Sequence, residues 1–241
     1  MTRHAPRVTV VAVVPALDEE GSIPDVVRGI APHVDYVVVV DNGSRDRTAA
    51  VARAAGADVV VEPRRGYGQA CLAGVARARE LRADVVVFLD ADGSDDPDDA
   101  PALLAPVLGG GADLALGVRV HANGDVERGA MTPVQRFGNW FAPLLMRVAV
   151  GARYRDMPPF KVVRADALER LALRDTGHGF TIELLLKAHE QRMRVVEIGV
   201  RCRVRRAGVS KVSGTLRGTV RATAKIVSTI LRHTRVLRAA R

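Results

Sequence analysis

The chain has little cysteine and no long hydrophobic run. Only two of its 241 residues are cysteines, Cys71 and Cys202, which lie far apart without the spacing of a metal-binding pair. We therefore expect two reduced thiols in a cytoplasmic protein. No segment approaches the roughly 18 uninterrupted apolar residues of a membrane-spanning helix, so we expect a protein that is soluble or bound peripherally to a membrane.

Acidic residues are absent from the C-terminal segment. Residues 201–241 contain 12 Lys and Arg and no Asp or Glu, whereas residues 1–200 contain 24 basic and 27 acidic residues, a net charge of −3. The formal net charge of +9 therefore comes from the C-terminal segment. A basic segment suits nucleic acid, anionic lipid and a phosphorylated ligand equally well, so charge alone leaves these partners open.

The N-terminal sequence MTRHAPRVTVVAVVPALDEE has the basic start and the apolar run that a signal peptide also has. However, the run from Val8 to Val14 is short, contains Thr9 and leads into acidic residues without a small-residue cleavage site. We interpret this run as the first β-strand.

Short β-branched runs alternate with helical patterns over the first half of the chain, without internal repeats, low-complexity segments or an obvious linker. The runs are continuous rather than alternating, which is typical of strands buried on both faces of a sheet. This rhythm predicts an α/β fold with a parallel, doubly wound sheet. The predicted strands are 8–14, 36–40, 58–61, 85–89 and 113–116, and the predicted helices are 23–30, 48–55, 69–81 and 100–108.

The second half of the chain is less regular. MTPVQRFGNWFAPLLMRVAVG predicts a helix that begins near Pro133 with Thr132 as its N-cap. FTIELLLKAHEQRM predicts another helix and RVVEIGVRCRVRR a late strand. Over residues 215–241 basic side chains lie close to one helical face and apolar side chains on another, which predicts a basic amphipathic helix.

Polar or acidic residues follow four of the five predicted strands, in the sequences PALDEE, DNGSRDRT, DADGSDD and GVR. Ligands of such sheets bind beyond the carboxyl ends of the strands, so we expect one acidic rim there. The third strand leads instead to RRGYGQA, a glycine-rich loop before a helix. This loop resembles a dinucleotide-binding fingerprint, but it lacks the third glycine and does not directly follow a strand.

Asp90 and Asp92 end the fourth predicted strand, where side chains at i and i+2 share one side. Two carboxylates suit Mg²⁺ or Mn²⁺, which keep some waters and share the phosphate oxygens of a substrate. The alternative is that these acids only solubilise a loop. We interpret Asp90 and Asp92 as metal ligands. We interpret four further acids as the acidic start of the following helix, namely Asp95, Asp96, Asp98 and Asp99.

Nine motifs occur in order between Val8 and about Thr215: VVPALDEE, VVDNGSRDRT, RRGYGQA, FLDADGS, GVR, TPVQRFGN, DMPPFKVVRADAL, GFTIELLLKA and RRAGVSKVSGT. Through these motifs the chain resembles the inverting glycosyltransferases with the GT-A fold, and more closely the dolichyl- or polyprenyl-phosphate mannose and glucose synthases. The resemblance implies a Rossmann-like, mostly parallel sheet with helices on both faces. It places the catalytic domain at residues 1–214 and the amphipathic helix at 215–241.

The resemblance also implies a donor site for a UDP- or GDP-hexose and a bound Mg²⁺ or Mn²⁺. The first strand would hold the base and ribose through Pro15, Leu17 and Glu19, and Asp41 would fix the base. Asp90 and Asp92 would bind the metal, with the Ala91 backbone beside the ribose. Asp92 would be the more direct metal ligand and a catalytic residue, and Ser94 a further metal ligand. Gly66 and Gly68 are interpreted as turn formers that support the sugar site. A basic loop would close over the diphosphate through Arg206, Ser210 and Lys211.

One residue departs from the family pattern. The family usually has Asn where this chain has Asp18. The backbone role of the position survives that change, but a third nearby acid could alter base preference.

The acceptor is less sharply defined. Arg119 and Arg136 match basic positions that face the acceptor phosphate in the polyprenyl-phosphate enzymes. A phosphate monoester is already ionised near neutral pH, whereas a hydroxyl acceptor of a glycan or small molecule needs a carboxylate base. Glu183 is the candidate base by family position and Asp156 is the other. The alternative for Glu183 is a helix-surface acid or a ligand-orienting residue, and His178 is interpreted as a loop residue.

The basic segment 215–241 could lie on an anionic leaflet or pack on its own domain, and we favour the membrane surface. We therefore expect a cytoplasmic enzyme, peripheral on the inner face of the cell membrane, that transfers a hexose to polyprenyl phosphate. Whether it is a homodimer stays open. A sugar-phosphate nucleotidyltransferase would have a glycine-rich, basic loop after the first strand. This chain has PALDEE there, which argues against that function. A nucleic-acid-binding module would leave the acidic rim without purpose, so we expect no nucleic-acid partner.

Overall fold

The computed structural model describes residues 7–119, 126–206 and 227–230. The described residues form one sheet of seven strands, in the order β3-β2-β1-β4-β6-β5-β7. The strands are β1 (Val10–Ala16), β2 (Tyr36–Asp41), β3 (Asp58–Val61), β4 (Val85–Phe88), β5 (Leu114–Arg119), β6 (Lys161–Arg164) and β7 (Val195–Val200).

Six of these strands run in the same direction. β1 pairs in parallel with β2 and β4, β2 with β3, and β5 with β7. The exception is β6, which lies antiparallel between β4 and β5. The expectation of a mostly parallel α/β sheet is confirmed, but the sequence patterns did not predict β6.

Among the described residues, seven α-helices from Ile23 to Glu190 connect or follow the strands. The four helices predicted in the first half of the chain agree with the structure to within two residues at each end, the helix predicted over 180–193 ends three residues earlier at Glu190, and α6 is an addition. The helices are α1 (Ile23–Ile30), α2 (Thr48–Ala54), α3 (Tyr67–Glu80), α4 (Ala100–Leu108), α5 (Pro133–Val150), α6 (Ala165–Leu171) and α7 (Phe180–Glu190).

Thr132 caps the start of α5, as the sequence predicts, and the structure adds a capping box with Gln135. The Oγ1 atom of Thr132 accepts a hydrogen bond from the Gln135 amide at 3.3 Å, and the Gln135 side chain accepts one from the Thr132 amide at 2.8 Å. These bonds satisfy amides that have no partner inside the helix. They fix the N-terminus of α5 beside the site described below.

The helices bury both faces of the sheet, as the continuous apolar strands predict. In β1, Val11 and Val13 pack in the layer of α3, α5, α6 and α7, whereas Ala12 and Val14 pack in the layer of α1, α2 and α4. All four are fully buried. Burial of a valine side chain contributes about 1.5–3 kcal/mol, so the central strands hold the strand ends firmly in place.

Two expectations lie largely outside the described residues. The boundary at residue 214 and most of the basic helix 215–241 are among them, although Ile230 in the helical turn 227–230 is fully buried in the layer that contains α7. No helix in the described ranges is both long and apolar enough to cross a membrane. Cys71 and Cys202 are both free thiols and both buried.

Candidate active site

A cleft of about 430 Å³ opens at the carboxyl ends of β1, β2 and β4. Its walls come from the chain after β1, the chain after β4 and the beginning of α3. This is the edge of the sheet at which a parallel α/β fold binds its ligands. Six residues predicted for the donor site line the cleft: Pro15, Leu17, Glu19, Asp90, Ala91 and Asp92.

Asp90 and Asp92 face the cleft from the end of β4. The Oδ1 atom of Asp92 accepts a hydrogen bond from the Ser94 amide at 2.9 Å. The Asp90 amide donates to the Asp95 carboxylate at 3.0 Å, so Asp95 lies directly behind the pair. Burial and the neighbouring Asp92 charge raise the pKa of Asp90, and burial together with the Asp90 charge raises the pKa of Asp95. This end of β4 therefore concentrates negative charge that a cation would stabilise.

The other acids after β4 only partly follow the helix-start interpretation. Asp96 accepts a hydrogen bond from the Asp98 amide, but its carboxylate also pairs with Arg201 at 2.9 Å. Asp99 precedes α4 and pairs with Arg201 at 2.8 Å. For Asp95 the interpretation is wrong, because this residue is buried beneath Asp90 instead of flanking the helix. Arginines after β7 thus balance the charges of Asp96 and Asp99.

Glu19 is a buried acid at the mouth of β1. Its amide donates to the Thr48 hydroxyl at 2.8 Å, and its carboxylate accepts from the Ser22 hydroxyl at 3.1 Å. Asp18, the departure from the family pattern, has a φ of +51°. Asp tolerates this left-handed conformation as Asn does, which explains why the exchange is compatible with the turn. The Asp18 carboxylate accepts from the Arg45 amide at 2.7 Å and joins the loops after β1 and β2.

Asp41 and its neighbour Asn42 end β2. Asp41 is buried, does not line the cleft and accepts a hydrogen bond from the Ser44 amide at 3.0 Å. Asn42 does line the cleft, and its side chain accepts from the Gly66 amide at 2.7 Å. Asn42 also donates to the carbonyls of Glu62 and Arg64 at 2.9 and 2.8 Å. It therefore ties the glycine-rich loop to the end of β2.

The glycine-rich loop packs against the segment 174–177. The Gly68 amide donates to the Gly177 carbonyl at 3.1 Å. A Cβ atom at Gly68 would lie 2.0 Å from the Asp175 carbonyl oxygen, and one at Gly66 would lie 2.2 Å from that of Thr176. Only glycine permits this approach of two backbones. Gly66 lines the cleft, whereas Gly68 supports it from behind.

Glu183 holds this same segment in place. Its Oε2 atom accepts from the amides of Arg174 and Asp175 at 2.9 and 2.7 Å, and its Oε1 atom pairs with Lys187 at 2.8 Å. Burial opposes ionisation, but the Lys187 and amide hydrogen bonds outweigh it and lower the pKa of Glu183. Glu183 does not line the cleft. These contacts favour the orienting alternative, and the base role stays a prediction.

Arg119 and Asp156 form a buried bidentate ion pair. The guanidinium Nε and Nη2 atoms lie 2.8 and 2.9 Å from the two carboxylate oxygens of Asp156. The Asp156 charge raises the pKa of Arg119 although burial opposes this. Together with Arg136, Asn139 and Trp140 the pair lines a second pocket of about 240 Å³. The two predicted acceptor arginines are thus brought together, and Asp156 is their neighbour.

The basic segment after β7 differs from its expectation in one respect. Arg205, not Arg206, lines the cleft, with ion pairs to Glu19 at 2.6 Å and to Asp92 at 2.9 Å. Arg206 turns outward and pairs with Asp25 on α1 at 2.9 Å. Ser210 and Lys211 lie outside the described residues.

Comparison with known proteins identifies the family. The profile described as Glycosyl transferase family 2 matches residues 11–172, which include the ends of β1, β2 and β4. The chain belongs to this family. It is therefore a glycosyltransferase, as the motifs predict.

Its relatives share this assignment. An uncharacterized glycosyltransferase of Mycobacterium tuberculosis is 42% identical over 212 residues, which cover 88% of this chain and 93% of the relative. An undecaprenyl-phosphate mannosyltransferase of Micrococcus luteus is 31% identical over 222 residues, 87% of this chain and 89% of the relative. The structure of M. tuberculosis glucosyl-3-phosphoglycerate synthase with Mn²⁺, UDP-glucose and phosphoglyceric acid superposes with a TM-score of 0.75. That match has 26% identity and covers 94% of this chain and 79% of that one. The predicted GT-A fold is confirmed.

Sequence reasoning missed several residues of the glycosyltransferase cleft. Asn42 stands within the quoted motif DNGSRDRT, beside the Asp41 that was selected. His178, interpreted as a loop residue, does lie on a loop and lines the cleft. The unselected residues that line the cleft include Asn42, Arg65, Tyr67, Gln135 and Arg205.

Proposed function

We propose that this glycosyltransferase moves a hexose from a UDP- or GDP-sugar to polyprenyl phosphate at an anionic membrane surface. The proposal rests on one observation: the first turn of α5 contributes residues to two neighbouring pockets. Gln135 lines the cleft that contains Asp90 and Asp92, and the next residue, Arg136, lines the pocket that contains Arg119. A donor held by the first pocket would thus present its sugar toward an anion held by the second.

The carboxylates of the first pocket fit a hard divalent cation. Asp90 and Asp92 both offer oxygen ligands there. Within the described ranges no cluster of three His, Cys, Asp or Glu side chains could hold a metal ion, so the substrate and water would have to supply the remaining ligands. Mg²⁺ and Mn²⁺ suit such a site because they accept one or two carboxylates and complete their shell with phosphate oxygens and water. When bound, the ion would offset charge on the departing diphosphate. The Mn²⁺ and UDP-glucose in the M. tuberculosis synthase support this assignment.

The proposed reaction is a displacement at the anomeric carbon. An acceptor phosphate oxygen supplies the electron pair of the new C1–O bond, and the bond from C1 to the donor diphosphate breaks with its pair left on the nucleoside diphosphate. Arg205 lies in the cleft where it could neutralise part of that charge. A phosphate dianion has no proton to lose, which agrees with the engagement of both Glu183 and Asp156 in ion pairs.

The second pocket has the chemistry of a phosphate site. Arg119 is held rigidly by Asp156, and Arg136 is an exposed arginine of α5 beside it. Guanidinium groups bind phosphate oxygens well, so a preorganised Arg119 and an exposed Arg136 could bind one phosphate from two sides. The name of the Micrococcus luteus relative, an undecaprenyl-phosphate mannosyltransferase, supports a lipid phosphate in this role.

An exposed apolar stripe of α5 supports a membrane location for the acceptor. Phe137, Trp140, Leu144 and Val148 recur at helical spacing and are 57, 61, 39 and 77% exposed. The stripe begins at the second pocket, which Trp140 also lines.

The charge around this stripe suits anionic lipid. Residues 128–155 contain five arginines and no Asp or Glu. Each arginine near an anionic leaflet contributes about 1 kcal/mol of attraction. We infer that the stripe contacts the leaflet, so that a polyprenyl chain would stay in the lipid while its phosphate reaches Arg136.

A second candidate is transfer to a hydroxyl of a small phosphorylated acceptor. The phosphoglyceric acid bound to the M. tuberculosis synthase favours it, because such an acceptor also presents an anion to paired arginines. A hydroxyl nucleophile must lose a proton, so this candidate needs a base in contact with the acceptor.

The deciding experiment tests UDP-glucose and GDP-mannose with Mn²⁺, each against undecaprenyl phosphate in anionic vesicles, 3-phosphoglycerate, and no acceptor. We expect a labelled lipid product and only slow hydrolysis in the other two mixtures. Arg136→Gln should raise the KM for the lipid phosphate roughly tenfold or more, because a charge-assisted bond is lost. Arg147→Gln removes an equal charge from α5 outside the pocket and serves as the matched control. Transfer to 3-phosphoglycerate alone would overturn the lipid proposal in favour of the second candidate.

A further inference from the structure

Arg205 joins two acids of the cleft that are far apart in sequence. Its Nη1 atom lies 2.6 Å from Oε1 of Glu19, and its Nη2 atom lies 2.9 Å from Oδ2 of Asp92. The side chain of Arg205 is largely buried, as are those of both acids. The guanidinium therefore bridges the chain after β1 and the chain after β4.

The contact with Asp92 involves the carboxylate oxygen that the turn after β4 does not use. Oδ1 of Asp92 already accepts the Ser94 amide at 2.9 Å, as part of the turn after β4. Oδ2 makes the ion pair with Arg205. A cation bound at Oδ2 and a guanidinium at the same oxygen repel each other at short range. Metal and Arg205 therefore compete for this oxygen.

The backbone that carries Arg205 is anchored beside the same turn. The amide of Arg203 donates to the Ser94 carbonyl at 2.8 Å, and the amide of Arg206 donates to the Asp92 carbonyl at 3.2 Å. The side chain of Arg205 can therefore change position while its backbone stays in place. A flexible arginine side chain on a fixed backbone can leave Asp92 and still reach a ligand in the cleft.

We propose that Arg205 is a replaceable counter-ion. It occupies the metal-facing oxygen of Asp92 in the free enzyme and moves onto the diphosphate when metal and nucleotide bind together. This inference rests on the proposed function and adds to it a coupling between metal binding and nucleotide binding. Metal alone must displace Arg205 from Asp92, whereas metal with a nucleoside diphosphate gives Arg205 a new anionic partner. Binding of metal and nucleotide is therefore cooperative.

The proposal predicts a reversal of sign in one variant. Arg205→Gln removes the competitor, so Mn²⁺ alone should bind more tightly than to wild type, on the order of tenfold. In the presence of saturating UDP or GDP the same variant lacks the contact to the diphosphate, so Mn²⁺ should bind more weakly than to wild type. An arginine that only stabilises the fold would not produce this reversal.

The test is a titration with Mn²⁺, in which free Mn²⁺ is followed by electron paramagnetic resonance, without and with nucleoside diphosphate. Arg28→Gln is the charge-matched control, since Arg28 is an exposed arginine of α1 that pairs with Asp25 outside the cleft. Its affinities should equal those of wild type. Arg205→Lys keeps the charge but cannot bridge both acids, and it should lie between wild type and Arg205→Gln. Far-ultraviolet circular dichroism of each variant checks that the fold is kept.

The possible results separate two failures. Weaker or unchanged binding of Mn²⁺ alone by a folded Arg205→Gln overturns the counter-ion proposal and leaves the proposed transfer intact. Absence of Mn²⁺ binding by wild type, with or without nucleotide, overturns the metal site of the proposed function itself. Tighter binding of metal alone with weaker binding in the ternary complex supports both.

Discussion

Arg119 and Asp156 hold each other through two parallel hydrogen bonds of 2.8 and 2.9 Å. A third bond, from the Arg119 amide to Oδ2 of Asp156 at 3.1 Å, fixes the carboxylate to the end of β5. Asp156 also accepts from the Met157 amide at 2.7 Å. With both oxygens engaged, Asp156 is placed to orient Arg119 more than to accept a proton from a substrate.

We predict that Asp156→Asn leaves Arg119 buried without a counter-charge. The free energy of unfolding should fall by about 3 kcal/mol, since one partner of a buried pair is lost. The KM for the acceptor should rise roughly tenfold while kcat changes little. Urea unfolding and steady-state kinetics measure both effects.

Asp166→Asn is the control for this change. Asp166 pairs with Arg164 in an exposed ion pair at 2.9 Å. Its replacement should alter stability by about 0.5 kcal/mol or less. A kcat for Asp156→Asn that falls by a factor of about 10²–10⁴ would instead identify Asp156 as a base.

We predict that Glu183→Gln retains transfer to a phosphate acceptor. Gln keeps an oxygen for the amides of Arg174 and Asp175, so the segment beside the glycine-rich loop should stay in place. We expect kcat within about threefold of wild type and an unchanged pH profile, whereas loss of a general base costs about 10²–10⁴. A loss of kcat of that size with the phosphate acceptor would contradict this account.

The same variant tests the electrostatics of Glu183. Its pKa is lowered in the folded protein, because the Lys187 and amide hydrogen bonds outweigh the opposing effect of burial. An acid with a depressed folded pKa adds stability above its unfolded pKa of about 4.3, and this stability is lost as the pH falls through the folded pKa. Wild type should therefore exceed Glu183→Gln in stability near neutral pH, and the difference should vanish in acid. A difference that does not change with pH would show that the charge of Glu183 contributes nothing.

We predict that Val148→Glu weakens binding to anionic vesicles. Val148 lies at the end of the α5 stripe remote from the second pocket, so an acid there meets the leaflet without touching the acceptor site. Cosedimentation with phosphatidylglycerol vesicles should fall on the order of tenfold, because burial of apolar area is lost and a negative charge is added.

Val61→Glu is the matched control for the stripe. Val61 is 56% exposed on β3 at the edge of the sheet, and its replacement should leave vesicle binding unchanged. If Val148→Glu instead dissociates a dimer and leaves vesicle binding intact, α5 is an interface between two copies of the chain.

The sequence predicted most of the sheet because its strands are continuous apolar runs. It did not predict β6, whose four residues lie between a proline pair and a helix. Val162 and Val163 are fully buried only because the strand inserts between β4 and β5. A strand of this length depends on partners distant in sequence, and local patterns carry little information about it.

The sequence also predicted that the polar residues after β1 and β4 belong to one site. Polar residues directly after buried parallel strands lie at one edge of the sheet, where ligands bind. The position of Arg205 in the cleft was not predictable in this way. Successive side chains of an extended segment point to opposite sides. Whether Arg205 or Arg206 faces Asp92 is decided by the hydrogen bonds of Arg203 and Arg206 to the turn after β4. That register is a property of the folded protein.

The central claim is that the carboxylates at the end of β4 hold a divalent cation for a nucleotide-sugar. The most direct measurement is the Mn²⁺-dependent transfer of hexose by Asp92→Asn beside Asp98→Asn, a change of an exposed acid six residues away. Asn at position 92 can still accept the Ser94 amide, so the turn should be kept. The account predicts a loss on the order of a thousandfold for Asp92→Asn and near-normal transfer for Asp98→Asn. Near-normal, Mn²⁺-dependent transfer by a folded Asp92→Asn would contradict it.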